Sequence, residues 1–194
     1  WSSDVCSSDL LKSILEEIRK YPGKYNYASS GAGSSNQFAT ELMKVMSGTF
    51  ALHIPYRGMG PAVTDLIGGQ TQILLASGPS LLPQVRNGRI RAIGITSLKP
   101  SPIAPELIPM ATAIPGYEFE LWWGILAPPG VPSEIVSLLN SQINKILNLP
   151  ETKAAFLREG AETYPETPAQ FASRISGDIL RWKNIAKRQN ITAE

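Results

Sequence analysis

Cysteine and histidine are nearly missing from this 194-residue sequence, in which Cys6 and His53 are the single residues of each type. A disulfide framework needs paired cysteines, and zinc or similar metal sites usually gather several cysteine and histidine ligands. Nucleophilic catalysis also loses support, because a serine or cysteine nucleophile needs an adjacent base, most often a histidine. We therefore expect no metal site, no cofactor and no catalytic residues.

Strong charge bias and long apolar runs are missing as well. The formal net charge is +2 at pH 7, and no stretch concentrates lysine and arginine. The sequence therefore gives no indication of a basic patch that would bind a nucleic acid or an anionic membrane surface. No apolar run approaches the roughly 20 residues that a membrane-spanning helix requires. We expect a globular protein that is not inserted in a membrane.

The first ten residues, WSSDVCSSDL, have no apolar periodicity and no initiator methionine. They resemble a translated sequencing adapter joined to a gene fragment, so residues 1–10 are interpreted as a non-native scar. This interpretation predicts that the natural N-terminus, with any signal peptide, is absent from the sequence. It also removes Cys6 from the functional argument.

The sequence is organised around residues 25–36, which read YNYASSGAGSSN. The pattern predicts a short strand, a turn at Gly31 and Gly33, and a helix capped by Ser34 or Ser35. The first N–H groups of a helix lack internal partners and lie at its positive end, so such a turn can hold a carboxylate or phosphate. The alternative is an ordinary strand-to-helix turn with no ligand, and these residues alone leave both possibilities open.

The sequence of this turn does not match three more specific motifs. A phosphate-binding Walker A loop needs lysine after its second glycine, but Ser34 and Ser35 follow Gly33. A dinucleotide fingerprint needs a third glycine or alanine where Asn36 stands. A hydrolase nucleophile elbow needs glycines two residues either side of its serine, and Ser29 and Ser30 lack them.

Strands and helices alternate after the turn, which predicts a parallel sheet in an α/β fold. Predicted strands cover residues 49–55, 70–76 and 89–96, with helices over 61–67 and 80–87. Ligands bind at the carboxyl ends of such strands, so loops 29–36, 56–60 and 77–79 should form one polar rim. His53 lies within a predicted strand and is interpreted as a hydrogen-bonded core or edge residue.

The remaining sequence is proline-rich, then aromatic, then helical. Residues 99–115 predict a surface loop, residues 117–127 (YEFELWWGILA) a strand, and residues 132–148, 151–159 and 167–188 three helices. For Trp122 and Trp123, core packing and the wall of an interdomain cleft both remain open.

Several segments together resemble one family: YASSGAGSSN, HIPYRGMGPAVTDLIGGQ, LLASGPSLLPQVRNGRIRAIGITS and PGYEFELWWGILAPPGVP. They are similar to the Bug/TctC extracytoplasmic solute-binding proteins, from about Leu11 to the C-terminus. The resemblance implies a type II periplasmic-binding-protein (Venus flytrap) fold. It also implies a periplasmic protein that captures a small carboxylate and presents it to the membrane components of a tripartite tricarboxylate transporter.

The resemblance also implies the ligand-binding residues. Carried over by position, they are Ser29, Ser30, Gly31, Ala32, Gly33, Ser34, Ser35, Asn36, Tyr56, Arg57 and Ser77. Ala76 departs from the family pattern, since many members have aspartate there. An acidic group at this point could face a ligand's ammonium, so its absence favours an uncharged or purely anionic ligand.

The family's division into two lobes gives the expected domains. Residues 11–122 correspond to lobe two, nearly complete, and residues 123–194 to the C-terminal helical part of lobe one. The apolar stripes of helices 132–148 and 167–188 should then lack their natural sheet. We expect the isolated chain to self-associate and to bind no carboxylate tightly.

Two other functions remain open. One is a small α/β enzyme that holds a phosphate or carboxylate in the Gly33 loop, with activity dependent on Ser34 and His53. The other is a ligand-sensing regulatory domain, because receptors and transcription factors use the same architecture.

Overall fold

The computed structural model describes residues 7–191. Seven helices, two strands and one 3-10 turn lie within this range. In chain order they are α1 (Ser7–Lys20), β1 (Asn26–Ser29), α2 (Ser35–Ser47), β2 (Leu52–Pro55), α3 (Met59–Ile67), α4 (Gly78–Arg86), the 3-10 turn Met110–Thr112, α5 (Ser133–Asn148), α6 (Pro150–Arg158) and α7 (Pro168–Gln189).

The predicted scar lies partly outside the described residues, which exclude residues 1–6. Residues 7–10 form the start of α1, and Leu10 is buried. The sequence pattern predicted that the folded chain starts at Leu11. In the described residues, the first helix already starts at Ser7.

β1 and β2 form a parallel pair joined through α2, as the sequence predicted. Asn26 lies opposite Leu52, and Ser29 lies opposite Pro55. A helix that connects two neighbouring parallel strands is the βαβ arrangement, which places both carboxyl ends at the same edge. That edge carries the turn between β1 and α2.

The predicted strands at 70–76 and 89–96 are wrong as strands, since each is reduced to a single bridge: Tyr27 with Ile73, and Ile95 with Pro109. Beyond Ile73, the Asn36 side chain donates to the Leu75 carbonyl at 2.7 Å, so a side chain takes the acceptor that a neighbouring strand would use.

Ile95 finds its partners outside the sheet, in the proline-rich segment. Its N–H donates to Ile108 and its carbonyl accepts from Met110, both at 2.8 Å. The predicted strand at 117–127 is also absent. The Phe119 N–H donates to Thr96, but the Glu118 carbonyl accepts from the Arg181 guanidinium, so a side chain occupies this backbone group.

One apolar core joins α1 and α2 to the segment that follows the proline-rich loop. Its buried members are Leu11, Leu15, Ala39, Leu42, Met43, Met110, Ile114, Tyr117 and Phe119. Tyr117 is fully buried, and its hydroxyl donates to the Ala39 carbonyl at 3.0 Å. Burying one leucine or phenylalanine side chain contributes about 1.5–3 kcal/mol, so this cluster stabilises the whole α/β unit.

The C-terminal half of α7 packs on this core. The Trp182 ring lies 5.9 Å from Phe38 and 4.9 Å from Phe119, centroid to centroid, and Ile185 joins the same cluster. For Trp182 and Ile185, the expectation of an apolar stripe without a partner is therefore wrong. Both side chains pack against the core cluster that includes α2 and Phe119.

The expectation of an apolar stripe without a partner surface is confirmed for α5, which has no buried residue. Large apolar side chains remain exposed along α5 and in the segment before it: Trp123, Ile125, Leu126, Ile135, Leu138, Leu139 and Ile146. Exposed apolar side chains in this number favour association with another surface. Over residues 7–191, no helix combines the length and the apolar character that crossing a membrane requires.

We expect the isolated chain to self-associate through α5. Replacing Leu138 and Leu139 by glutamine should lower the sedimentation coefficient, because both side chains are more than half exposed. The unfolding free energy should change by no more than about 0.5 kcal/mol per site, as is usual at surfaces. Leu15→Gln is the control, since Leu15 is buried and its replacement should unfold the chain. A monomeric wild-type chain in sedimentation velocity would contradict this prediction.

Candidate functional site

The turn between β1 and α2 has the conformation that the sequence predicted. Ser34 is the N-cap of α2, and its hydroxyl accepts a long bond of 3.5 Å from the Gln37 N–H. Gly31 and Gly33 have φ angles of 134° and 74°, a region that residues with a β-carbon rarely adopt. A β-carbon at Gly31 would also lie 3.4 Å from the Tyr56 carbonyl oxygen.

Several backbone donors of this turn are left over, and three of them lie at the start of α2 or close before it. Within residues 7–191, no hydrogen bond engages the N–H of Ala32, Ser35 or Asn36. By contrast, the N–H groups of Gly31 and Gly33 donate to side chains. Unpaired N–H groups at the start of a 13-residue helix, together with its dipole, favour an anion.

Asn36 holds the turn in place with its side chain. Its Oδ1 accepts from the Ser30 hydroxyl at 2.9 Å, and its Nδ2 donates to the Leu75 carbonyl at 2.7 Å. The residue is only 7% exposed. What Asn36 can offer a ligand is therefore its backbone N–H, because its amide group is already engaged on both sides.

Ser29 and His53 lie beneath the turn. Oγ of Ser29 lies 2.6 Å from Nε2 of His53, whose ring stacks on Tyr27 with centroids 4.8 Å apart. Burial lowers the pKa of His53. This structure confirms the interpretation of His53 as a hydrogen-bonded residue within the fold. A serine next to histidine resembles a nucleophile with its base, but Ser29 is fully buried and out of reach of a substrate.

The loop after β2 lies beside this turn, as the parallel topology predicted. The Tyr56 N–H donates to the Ser29 carbonyl at 3.0 Å, and the Gly58 N–H to the Ser30 carbonyl at 3.2 Å. The Tyr56 hydroxyl donates to Asp65 on α3 at 2.8 Å, which raises its pKa. The side chain of Arg57 is exposed at this rim.

Ser77, the third part of the predicted rim, is not hydrogen-bonded to the other two loops in the described range. Its hydroxyl lies 3.0 Å from that of Ser80 on α4. Gly78, at the start of α4, packs instead against Gly160 after α6. A β-carbon at Gly78 would lie 2.4 Å from the Gly160 carbonyl oxygen.

A groove of about 440 Å³ opens between the turn and α7. Its lining includes Gly33, Ser35, Phe38, Leu121, Trp122, Asp178 and Trp182. Trp122 donates from its indole nitrogen to Asp178 at 2.7 Å and packs edge-on against Phe171. Trp123, by contrast, is 67% exposed. The sequence suggested Trp122 as a cleft wall but gave no signal for Phe38 or Asp178 as part of the same groove.

No group of acidic, cysteine or histidine side chains suited to a metal ion occurs in residues 7–191. Lys44, the nearest lysine along α2, forms an ion pair with Glu41 at 2.6 Å. The donors that this turn could offer an anion are therefore mainly backbone N–H groups, and the exposed Arg57 side chain lies in the neighbouring loop.

Comparison with known proteins gives a consistent result. A family model described as "TctC: Tripartite tricarboxylate transporter family receptor" matches residues 6–191. The chain is 34% identical, over 185 residues, to the "UPF0065 protein in tcbD-tcbE intergenic region" of Pseudomonas sp. (strain P51). This match covers 94% of the chain and 55% of the relative, so the chain spans about half of that protein's length.

Two solved structures are also similar. The first, "R. palustris Rpa4515 with adipate", has a TM-score of 0.85 and 30% identity, with 98% of this chain and 64% of that one covered. The second, "MatC (Rpa3494) from Rhodopseudomonas palustris with bound malate", has a TM-score of 0.77 and 25% identity, with 90% and 61% covered. These similarities confirm the predicted α/β fold class of the periplasmic-binding-protein type.

Asn36→Asp should destabilise the turn. A carboxylate cannot donate to the Leu75 carbonyl, and it would place negative charge 2.7 Å from that oxygen's position. Loss of a buried hydrogen bond with an unpaired acceptor costs roughly 1–3 kcal/mol. Denaturant unfolding should report this loss, whereas Asn184→Asp, at an exposed position of α7, should change stability little. Equal stability of the two variants would show that the Asn36 amide does not hold the turn.

Proposed function

This chain belongs to the TctC family of tripartite tricarboxylate transporter receptors, and we propose that the protein binds a small carboxylate at the turn between β1 and α2. The observation that carries the proposal is the set of unpaired N–H groups of Ala32, Ser35 and Asn36. The family is one of receptors, which agrees with a binding function that needs no catalytic chemistry.

Backbone donors supply most of the proposed recognition. A carboxylate has two oxygens that can each accept more than one hydrogen bond, and the three unpaired N–H groups would supply donors to one end of it. The helix dipole adds positive potential at the same point. Ser35 adds a hydroxyl at the edge of the groove, and Arg57 adds a full positive charge at the rim.

The other predicted site residues have supporting roles in this proposal. Gly31 and Gly33 allow the turn, and Ser29, Ser30 and Ser34 hold it through hydrogen bonds within the fold. The Tyr56 hydroxyl is engaged with Asp65, so Tyr56 would contact a ligand through its ring. Ser77 would contribute from the α4 side of the rim.

We propose a plain dicarboxylate as the ligand class. The similar structures were solved with adipate and with malate, which both carry two carboxylates and no ammonium. Ala76 offers only a methyl group where an acidic side chain could otherwise face an ammonium. One carboxylate would lie on the turn, and the remainder of the ligand would extend away from the α2 N-terminus.

The partners and the location follow from the same proposal. The protein would work in the periplasm and deliver its ligand to the membrane components of a tripartite transporter. Residues 11–122 would form most of one lobe, and residues 123–194 would belong to the other. Because the chain spans 55% of its relative, further ligand contacts are expected from sequence that these residues do not include.

The first functional test is to block the turn. Gly33→Val should weaken adipate binding by more than Ser35→Ala, because valine strains a φ of 74° and displaces several donors together. Loss of the Ser35 hydroxyl removes one hydrogen bond to a charged group, worth roughly 1.5–3 kcal/mol. Calorimetry on the protein from the complete reading frame, titrated with adipate, makes the measurement. Wild-type affinity in Gly33→Val would contradict the proposed site.

The second test concerns the missing acidic group. Thermal shift measurements on the same protein should show stabilisation by adipate and malate, and none by aspartate or glutamate, because an ammonium has no acidic partner at Ala76. The matched variant Ala76→Asp should weaken the response to plain dicarboxylates and strengthen the response to the amino acids. Selective stabilisation of the wild type by an amino acid would contradict the proposed ligand class.

A further inference from the structure

A line of hydrogen bonds runs beneath the turn from one glycine to the other. The Gly33 N–H donates to Gln37 Oε1 at 2.7 Å, and Gln37 Nε2 lies 3.3 Å from Nδ1 of His53. Nε2 of His53 lies 2.6 Å from Oγ of Ser29. That Oγ lies 3.0 Å from the Gly31 carbonyl oxygen and 3.2 Å from the Gly31 nitrogen.

The Gly33 N–H determines which group is the donor and which the acceptor in every hydrogen bond of this line. The Gly33 N–H can only donate, so the Gln37 oxygen must face it and the Gln37 NH₂ must face His53. An amide NH₂ is only a donor, so Nδ1 of His53 must accept. The neutral ring then carries its hydrogen on Nε2 and donates it to Ser29 Oγ. Ser29 in turn donates its own hydrogen to the Gly31 carbonyl.

We propose that His53 and Gln37 are positioning residues of the carboxylate-binding turn, which together lock Gly31 and Gly33, and that protonation of His53 releases this lock. The inference rests on the proposed function, because it describes how the proposed binding turn is held. It adds a regulatory property, the sensitivity of the turn to acid.

Protonation breaks the line at one of two points. An imidazolium carries hydrogen on both ring nitrogens, so Nδ1–H then meets the donor NH₂ of Gln37. Rotating the Gln37 amide would bring its oxygen to His53. The same rotation would turn the NH₂ towards the Gly33 N–H and remove that bond. Either way, Gly33 and Gly31 are no longer joined through His53.

The surroundings of His53 favour the neutral ring. Tyr27 on β1 stacks on its face, and from α2 the charges of Glu41 and Lys44 act on it in opposite directions. Those two side chains pair with each other at 2.6 Å, and burial is the largest influence, so the pKa of His53 is lowered. The unfolded chain therefore takes up this proton first, and stability is lost as pH falls from about 6.5 towards the folded-state pKa.

Nuclear magnetic resonance on the Leu138→Gln, Leu139→Gln form of this chain, which we expect to associate less, can test the line directly, because His53 is the only histidine in the chain. Nitrogen-15 labelling of the ring should show the Nε2–H tautomer at pH 8. On acidification, the backbone amide signals of Gly31 and Gly33 should shift with the same midpoint as the ring. An Nδ1–H tautomer, or glycine signals that do not follow the ring, would overturn the proposal.

A charge-matched pair of variants separates this arrangement from simple packing. Gln37→Glu presents only acceptors to His53, so the ring should lose the Nε2–H tautomer and titrate at higher pH. Gln142→Glu adds the same charge at an exposed position of α5 and should leave the ring unchanged. An unchanged ring in Gln37→Glu would overturn the proposal. Should that variant unfold, His53→Phe, which retains an aromatic face against Tyr27, should abolish the pH-dependent shifts of Gly31 and Gly33.

Adipate binding connects the line to function. With the protein from the complete reading frame, acidification through the His53 midpoint should weaken adipate binding roughly tenfold, the effect of losing about one hydrogen bond to a charged group. His53→Phe should bind more weakly at pH 8 and keep only the pH dependence that protonation of adipate's own carboxylates causes. A His53 titration with constant adipate affinity would overturn the regulatory role. Absence of adipate binding at every pH would count against the proposed ligand. The ring tautomer would still test whether His53 and Gln37 hold the turn as proposed.

Discussion

The structure of the proposed binding site depends on one buried amide. Asn36 accepts from the Ser30 hydroxyl and donates to the Leu75 carbonyl. A single side chain therefore joins the end of β1, the first turn of α2 and the segment 70–76. Its own backbone N–H remains unpaired at the same place. An asparagine suits this position because one planar group offers both a donor and an acceptor. Neither leucine nor aspartate could make both bonds.

Local signals in the sequence predicted the elements that local chemistry determines. The glycines and a cap at Ser34 or Ser35 predicted the turn and its helix, and the alternation of strands and helices predicted the parallel pairing of β1 with β2. The same local signals also predicted strands at 70–76 and 89–96, which the structure does not contain. Their residues have strand-like patterns, but the Asn36 amide and the proline-rich segment take the backbone groups that a longer ladder needs.

Contacts between residues that are distant in sequence could not be predicted. Trp182 reaches Phe38 across more than half of the chain and also packs on Phe119, and no periodicity in α7 indicates which surface that side chain will cover. The same holds for Asp178, whose bond to the Trp122 indole makes it part of the groove. The family resemblance supplied the candidate site residues, whereas the direction of the hydrogen bonds between Gly33 and Gly31 required atomic positions.

The contact between Gly78 and Gly160 has an evolutionary consequence. Because a β-carbon at Gly78 would fall 2.4 Å from the Gly160 carbonyl oxygen, the two backbones meet with no side chain between them. Gly160 also has a φ of 78°, so it too resists replacement. Neither position can mutate alone while the α4 N-terminus keeps its place. Across descendants of this gene the two glycines should be inherited together, and a lineage that loses one must first reshape the connection between α6 and α7.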